Sequence, residues 1–313
     1  MSEEAPATTA GVGQTRDDTP ASKPQPRADP GLWLVATPIG NLGDISGRAL
    51  AVLASVDRVA CEDTRRTGRL LARHGISARL VSYHEHNAAR VRPALLRTLV
   101  GGGSVALVSD AGTPLISDPG YKLVCEAVSA GVRVSGCPGP SAPLLALILS
   151  GLPTDRFYFG GFLPSKAGPR REALATLCSL DATLVLLESP RRLPASLADM
   201  EAVLGPRPAA VARELTKLHE EVRRGSLDEL AGHYAAGAPK GEVVIVVGGA
   251  RGDAAQPALS DADIDERLDR LLAAGSVRDA AAALSAETGL PRRELYTRAL
   301  ARSRTREECA VDP

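Results

Sequence analysis

The chain lacks most of the marks by which a sequence declares its chemistry. Its five cysteines, Cys61, Cys125, Cys137, Cys178 and Cys309, form no CxxC pair. That excludes a zinc knuckle and a disulfide framework, and leaves them as small buried hydrophobes of a reducing compartment. There is no GxxxxGK[ST] and hence no P-loop, and neither Gly40 with Gly43 nor Gly101-Gly102-Gly103 has the spacing of a dinucleotide fingerprint. No apolar run reaches the roughly 18 residues of a membrane span, and the amino terminus has no charged-then-apolar signal pattern. A soluble, cytoplasmic protein with no membrane partner is the expectation. Charge of one sign is also missing, because 37 Lys and Arg balance 37 Asp and Glu. A nucleic-acid surface would therefore have to come from local asymmetry.

What is present is a chain of 313 residues, 44% of them hydrophobic, enough to bury the cores of about two domains. Residues 1–30 carry almost no large aliphatic side chain and are expected to form a disordered leader, since nothing in them offsets the entropy of ordering. From Leu32 short apolar runs (32–36, 80–83, 105–108 and 132–135) alternate with amphipathic helical stretches. This is the pattern of βαβ units on a mostly parallel sheet. After the break at Gly151 a second series begins (157–160, 183–187, 209–212 and 243–247), with helical patterns around 168–180, 191–203 and 226–236. The expected organisation is an N-terminal α/β domain over 31–150, a second α/β domain over 151–249, a linker over 250–260 and a helical module over 261–313.

In that module Ile264, Leu268, Leu271 and Leu272 share a helical face, Ser276 with Asp279 resembles a capping box, and Pro291 opens a last helix. Two helices joined through Thr288-Gly289-Leu290-Pro291 resemble a helix-turn-helix. The last carries Arg292, Arg293, Arg298, Arg302, Arg304 and Arg306, either to read nucleic acid or as a solvated face of a packing module.

Three loops follow apolar strands. The first, Thr37 to Asp44, holds two glycines that permit close backbone approach. The second, from Ser109 to Gly120, packs two prolines, two glycines and two aspartates behind a strand end, the place where open α/β sheets bind ligands. The third, Cys137 to Ala142, precedes an apolar helix. Glu62 and Asp63 follow another strand with Arg65 and Arg66 beside them, a combination in which acids orient a hydroxyl and arginines fork onto phosphates. Asp63 is equally suited to cap a helix; the sequence leaves both roles open. His84 and His86 share a side of an extended segment, but no third ligand pattern accompanies them, so no metal is expected. Basic pairs at Arg170-Arg171, Arg191-Arg192 and Arg223-Arg224, with Lys166, stand as edge charges that a dimer could join.

The segments VATPIGNLGD, ACEDTRRTGRLL, SDAGTPLISDPG, PGPSA and KGEVVIVV resemble the signature stretches of the tetrapyrrole-methylase family over residues 31–249. They are most similar to its bacterial branch that 2'-O-methylates a decoding-centre cytidine of 16S rRNA in the small ribosomal subunit, cytidine 1402. The resemblance implies a homodimeric methyltransferase, two α/β domains with S-adenosyl-L-methionine in a cleft between them, and a C-terminal helical module. It assigns the cofactor to Pro38, Asp110, Ala111, Gly112, Thr113, Ile116, Ser141 and Ala142, with Leu187, Ala212 and Gly241 from loosely matching segments. Glu62 and Asp63 are the candidate base or orienting acids; Arg65, Arg66, His84, Asn87 and Lys166 are the candidate substrate contacts. One departure bears on the substrate: porphyrin-modifying relatives have Gly-Gly-Asp-Pro where this chain has Ala111-Gly112-Thr113-Pro114, which disfavours a tetrapyrrole. The alternatives are a small-molecule C-methyltransferase and a non-enzymatic nucleic-acid-binding regulator.

Overall fold

The structure, a computed structural model, describes residues 28–250, 261–273, 275–288 and 290–309. Most of the expected leader, all but one residue of the expected linker, and the side chains of Arg304 and Arg306 lie outside that description. The described chain divides into two compact units. One joins the residues up to Leu149 with 212–221 and 241–244; the other joins 150–211, 222–240 and the residues from Ile245 onward.

In the first unit β1 (Gly31–Val35), β2 (Arg58–Cys61), β3 (Leu80–Ser82), β4 (Ser104–Val108) and β5 (Val134–Cys137) form one sheet in the order β3-β2-β4-β1-β5. Every pairing is parallel, with Leu32 opposite both Val105 and Val134. Helices α1 (Gly47–Ser55), α2 (Thr64–Arg73), α3 (Ala88–Val100) and α4 (Tyr121–Ser129) connect the strands, and α5 (Ala142–Ser150) follows the last. Right-handed crossovers place α1 and α2 on one face and α3 and α4 on the other, because the first two connections run one way along the sheet and the next two run back. The cores agree. Trp33, Val35, Val59, Cys61, Ala106 and Val108 pack with residues of α1 and α2, while Leu32, Ala60, Val105 and Leu107 pack with residues of α3 and α4. Both faces are covered, so the strands read as continuous apolar runs.

The expected strand 132–135 begins two residues late, at Val134, and the cause is a helix end. Gly131, at φ 70°, donates its N–H to Val128 O, and Val132 donates to Ala127 O. These are the two bonds of a Schellman motif, so Val132 closes α4 instead of opening β5. The triple glycine ends α3 in the same way, with Gly102 bonded to Leu99 O and Gly103 to Thr98 O.

In the second sheet the order is β6-β7-β10-β8-β9, formed by β6 (Phe157–Phe162), β7 (Thr183–Glu188), β8 (Pro208–Arg213), β9 (Glu221–Ser226) and β10 (Val243–Val247). Its helices are α6 (Ala167–Ala175), α7 (Leu193–Leu204) and α8 (Leu227–Ala235). β9 has no counterpart in the sequence reading, because as an edge strand of sequence EVRRGS it carries no apolar alternation. Arg170, expected as an edge charge, turns inward instead. It is 4% exposed and bonds through Nε to Asp199 Oδ2 of α7 at 2.7 Å, while Arg171 holds the other carboxylate oxygen at 2.6 Å.

The tail packs α9 (Asp261–Leu272), α10 (Val277–Thr288) and α11 (Arg292–Cys309) around Ile264, Leu268, Ala281, Leu284, Leu295 and Ala299. The expected cap of α10 is present: Ser276 Oγ accepts the Asp279 N–H, and its hydroxyl donates to the Asp279 carboxylate at 2.6 Å. Arg298 bonds Asp261 and Asp265, and Arg302 bonds Asp265 and Asp269, so these two arginines of the last helix are committed to α9. Arg292 and Arg293 stay exposed.

Asp199→Ala strands the buried Arg170 guanidinium. It is expected to lower the unfolding free energy by about 3–5 kcal/mol. Arg171→Ala, which removes a mostly exposed partner, should cost under about 1 kcal/mol; urea unfolding of both variants measures the difference.

Candidate functional site

β1 and β4 are neighbours whose following connections leave for opposite faces of the sheet, which opens a crevice at their carboxyl ends. The three expected loops meet there. Thr37 and Gly112 exchange both N–H···O bonds, at 2.9 and 3.0 Å, as an isolated antiparallel bridge. The Thr37 hydroxyl donates to Ser109 O at 3.2 Å, and the Thr113 hydroxyl donates to Pro140 O at 3.1 Å. The loops after β1, β4 and β5 are thereby bonded into one surface. Pro38 and Gly112 are buried in it, Asp110, Thr113, Ser141 and Ala142 are half-buried, and Ala111 is exposed.

Within the second loop Leu115 and Ser117 have φ of 70° and 66°. Such left-handed conformations in non-glycine residues are costly and persist where surroundings enforce them. They flank Ile116, which is held out with 42% of its surface exposed. A fixed apolar side chain beside backbone amides and carboxylates suits a ligand with an apolar ring system and charged ends, as S-adenosylmethionine has. Next to these loops lies a cleft of about 340 Å³, within the range of small-molecule sites. Thr37, Pro38, Ser109 and Asp110 line it together with arginines of α2.

The two remaining cofactor candidates in this unit are Ala212, buried at the end of β8, and Gly241. Gly241 has φ 96°, and a Cβ there would stand 2.3 Å from the Glu214 side chain. The segment after Ala212 reaches the first loop, since Asn41 donates its N–H to the Thr216 hydroxyl at 3.1 Å. Leu187, half-buried in β7, and Lys166, exposed at the start of α6, belong to the second unit.

The acids divide by environment. Asp63 is the N-cap of α2: it accepts the Arg65 N–H at 2.8 Å, and its two oxygens also hold the Arg65 guanidinium. The Arg65 side chain holds its carboxyl at about 2, assisted by the Arg65 amide. Its own N–H donates to Asp110 Oδ1 at 3.0 Å, and Arg66 stands 3.4 Å from Asp110 Oδ2. Asp118, absent from the sequence candidates, behaves oppositely. Burial pushes its carboxyl up to about 6, and the charge of Glu62 adds to the rise; the Ser109 hydroxyl opposes it and Asp110 adds to it. Its signal in the sequence is the second aspartate of SDAGTPLISDPG, whose position in the string says nothing of its burial.

Asn87 is spent on local structure, accepting the His84 N–H at 2.9 Å and donating to Ser82 O at 3.0 Å. His84 keeps a buried Nδ1 with no hydrogen-bond partner among the described residues, and its ring meets that of His86 at 6.0 Å. Among the described residues no three His, Cys, Asp or Glu side chains group as metal ligands, and no helix is long and apolar enough to cross a membrane.

Residues 31–231 match the family model of Tetrapyrrole (Corrin/Porphyrin) Methylases, and residues 258–303 match that of the RsmI C-terminal HTH domain. The chain is 54% identical over 291 residues to the Ribosomal RNA small subunit methyltransferase I of Mesorhizobium japonicum, covering 92% of this chain and 96% of that protein. It is 46% identical over 267 residues to the protein of the same name from a Synechocystis species, covering 85% and 95%. Among solved structures its fold is similar to a uroporphyrin-III-C-methyltransferase from Thermus thermophilus, with TM-score 0.50 and 24% identity over 69% of this chain and 93% of that one. It is also similar to a cobalt precorrin-4 methyltransferase, with TM-score 0.51 and 17% identity over 69% and 94%.

Thr113→Val removes the bond between the second and third loops. It is expected to weaken S-adenosylmethionine binding about two- to tenfold in calorimetry, as loss of one hydrogen bond implies. Thr113→Ser should bind like the parent; an unchanged valine variant would show that the loops hold their places without the bond.

Proposed function

Because the chain belongs to the tetrapyrrole methylase family, we propose that it transfers the methyl group of S-adenosylmethionine to a ribose 2'-hydroxyl of 16S rRNA, at the decoding-centre cytidine 1402 of the small ribosomal subunit. The observation that carries this is the joint match: a methylase body and the C-terminal helical domain, in the same order and over nearly the same length as relatives named for small-subunit rRNA methylation. Thr113 supports RNA over a tetrapyrrole. Its hydroxyl gives a proton to Pro140 O; a carboxylate in its place would face that carbonyl with no proton to give.

Bound at the three loops, S-adenosylmethionine supplies a methyl group already electrophilic on its sulfonium, with no metal required. The residues of this chain must hold the loops rigid, align the ribose and accept its proton. Asp118 is the carboxylate best suited to the last task. Asp63 is held ionised by Arg65 and is a weak base, whereas a carboxyl titrating at about 6 is both ionised and basic at neutral pH. Glu62 stands beside Asp118 and sustains its shift. Arg66, in the first turn of α2 and largely exposed, is placed to meet a phosphate. A cytoplasmic homodimer completes the proposal; Leu144 and Ile148, exposed one turn apart on α5, supply apolar surface for a second copy.

Incubation with tritiated S-adenosylmethionine and small ribosomal subunits is expected to place label on a ribose. The methylated linkage then survives alkali, because the 2'-oxygen can no longer attack its phosphate; label on a base, or on uroporphyrinogen alone, contradicts the proposal. The rate should rise with pH through a midpoint near 6, as Asp118 loses its proton. Asp118→Asn should erase that limb and lower turnover about 10²- to 10⁴-fold with cofactor affinity retained. Full turnover with the limb intact would return the proton to Glu62. The sign for folding is the reverse: a raised carboxyl favours the folded state at low pH, and that contribution is lost as pH climbs through about 6.

A further inference from the structure

α2 is a basic helix in a chain of zero net charge. Over Thr64–Arg73 it holds Arg65, Arg66, Arg69 and Arg73 and no acid. Arg65 is taken by Asp63. The other three recur at i, i+3 and i+7, which puts them on one helical face over about 10 Å, and all three line the cleft beside Thr37, Pro38, Ser109 and Asp110. Arg66 makes a loose 3.4 Å contact with Asp110. Arg69 and Arg73 are exposed, with no ion pair among the described residues. By contrast Arg170, Arg192, Arg298 and Arg302 each hold a carboxylate. Guanidinium groups left unpaired along a cleft have a use in gripping oxyanions in a fixed fork geometry.

We infer that Arg66, Arg69 and Arg73 form a track for the RNA sugar-phosphate backbone flanking the methylated ribose, an inference that rests on the RNA substrate proposed above. The arginines share the cleft with residues of the strand-end loops proposed to hold the methyl donor, so a ribose delivered there has its neighbouring phosphates within reach of the guanidinium groups. Leu42 and Leu70, also lining the cleft, give apolar contact for the sugar or base between the charges. Arg69 and Arg73 therefore set affinity for the strand and its salt dependence, and leave binding of the methyl donor untouched. The contacts are to phosphate and carry no sequence information.

The test is binding of the full chain to a 16S rRNA fragment bearing the decoding centre, over a range of salt and without methyl transfer. For Arg69→Gln with Arg73→Gln, the slope of log K against log salt should shrink by about 0.7–0.9 per phosphate no longer neutralised, while S-adenosylmethionine binds as in the parent. Arg69→Lys with Arg73→Lys should restore most of the slope. An unchanged slope in the glutamine variant overturns the track. So does a failure of that variant to bind S-adenosylmethionine, which would assign the arginines to the cofactor's carboxylate. If the slope shrinks as stated but the parent places no methyl on ribose, the track stands and the proposed reaction falls.

Discussion

Two amide hydrogen bonds between Thr37 and Gly112 join chain segments separated in sequence by β2, β3 and β4. With the Thr37 hydroxyl on Ser109 O and the Thr113 hydroxyl on Pro140 O, they convert three separate loops into a single bonded surface. Everything proposed for this protein depends on it. Loops are ordinarily the mobile part of an α/β unit, and transfer of a methyl group to a weak nucleophile demands atoms held in line. The parallel sheet brings the loops to one edge; the bonds between them supply the rigidity that the sheet cannot.

The same edge separates two acids of equal intrinsic strength. Asp63 heads a helix and faces a guanidinium, Asp118 sits half-buried among carboxylates, and the result is one group near 2 and another near 6. Environment, more than residue type, sets how tightly each carboxyl holds its proton. Strained backbone at Leu115 and Ser117 belongs to this arrangement, since it sets how the segment between Thr113 and Asp118 turns.

The parallel sheet, the second α/β series and the helical tail are legible in apolar periodicity, and the loops in their density of Gly, Pro and Asp. What escapes has physical reasons. β9 is an edge strand whose solvated face leaves no alternation to detect. Val132 reads as the start of a strand because the apolar residue that closes a Schellman motif and one that opens a strand are the same kind of residue. Arg170 reads as surface charge, yet its partner Asp199 lies 29 residues on, a separation no local pattern reveals. Asp118 is visible as a letter in a motif, but its proton affinity comes from burial and from the charges of Glu62, which follows another strand, and of Asp110 in its own loop. Glu62 and Asp63 look alike in sequence; only the start of α2 tells them apart.

The ion pairs between α9 and α11 have a further meaning for how such a protein would move among RNAs. Arg298 and Arg302 are neutralised by Asp261, Asp265 and Asp269 of the same module, so a tail rich in arginine presents only part of its charge to solvent. Most of the RNA a protein meets is not its target, and nonspecific adhesion grows with the number of phosphates it can neutralise. Internal pairing lowers the number of phosphates that Arg298 and Arg302 are free to neutralise.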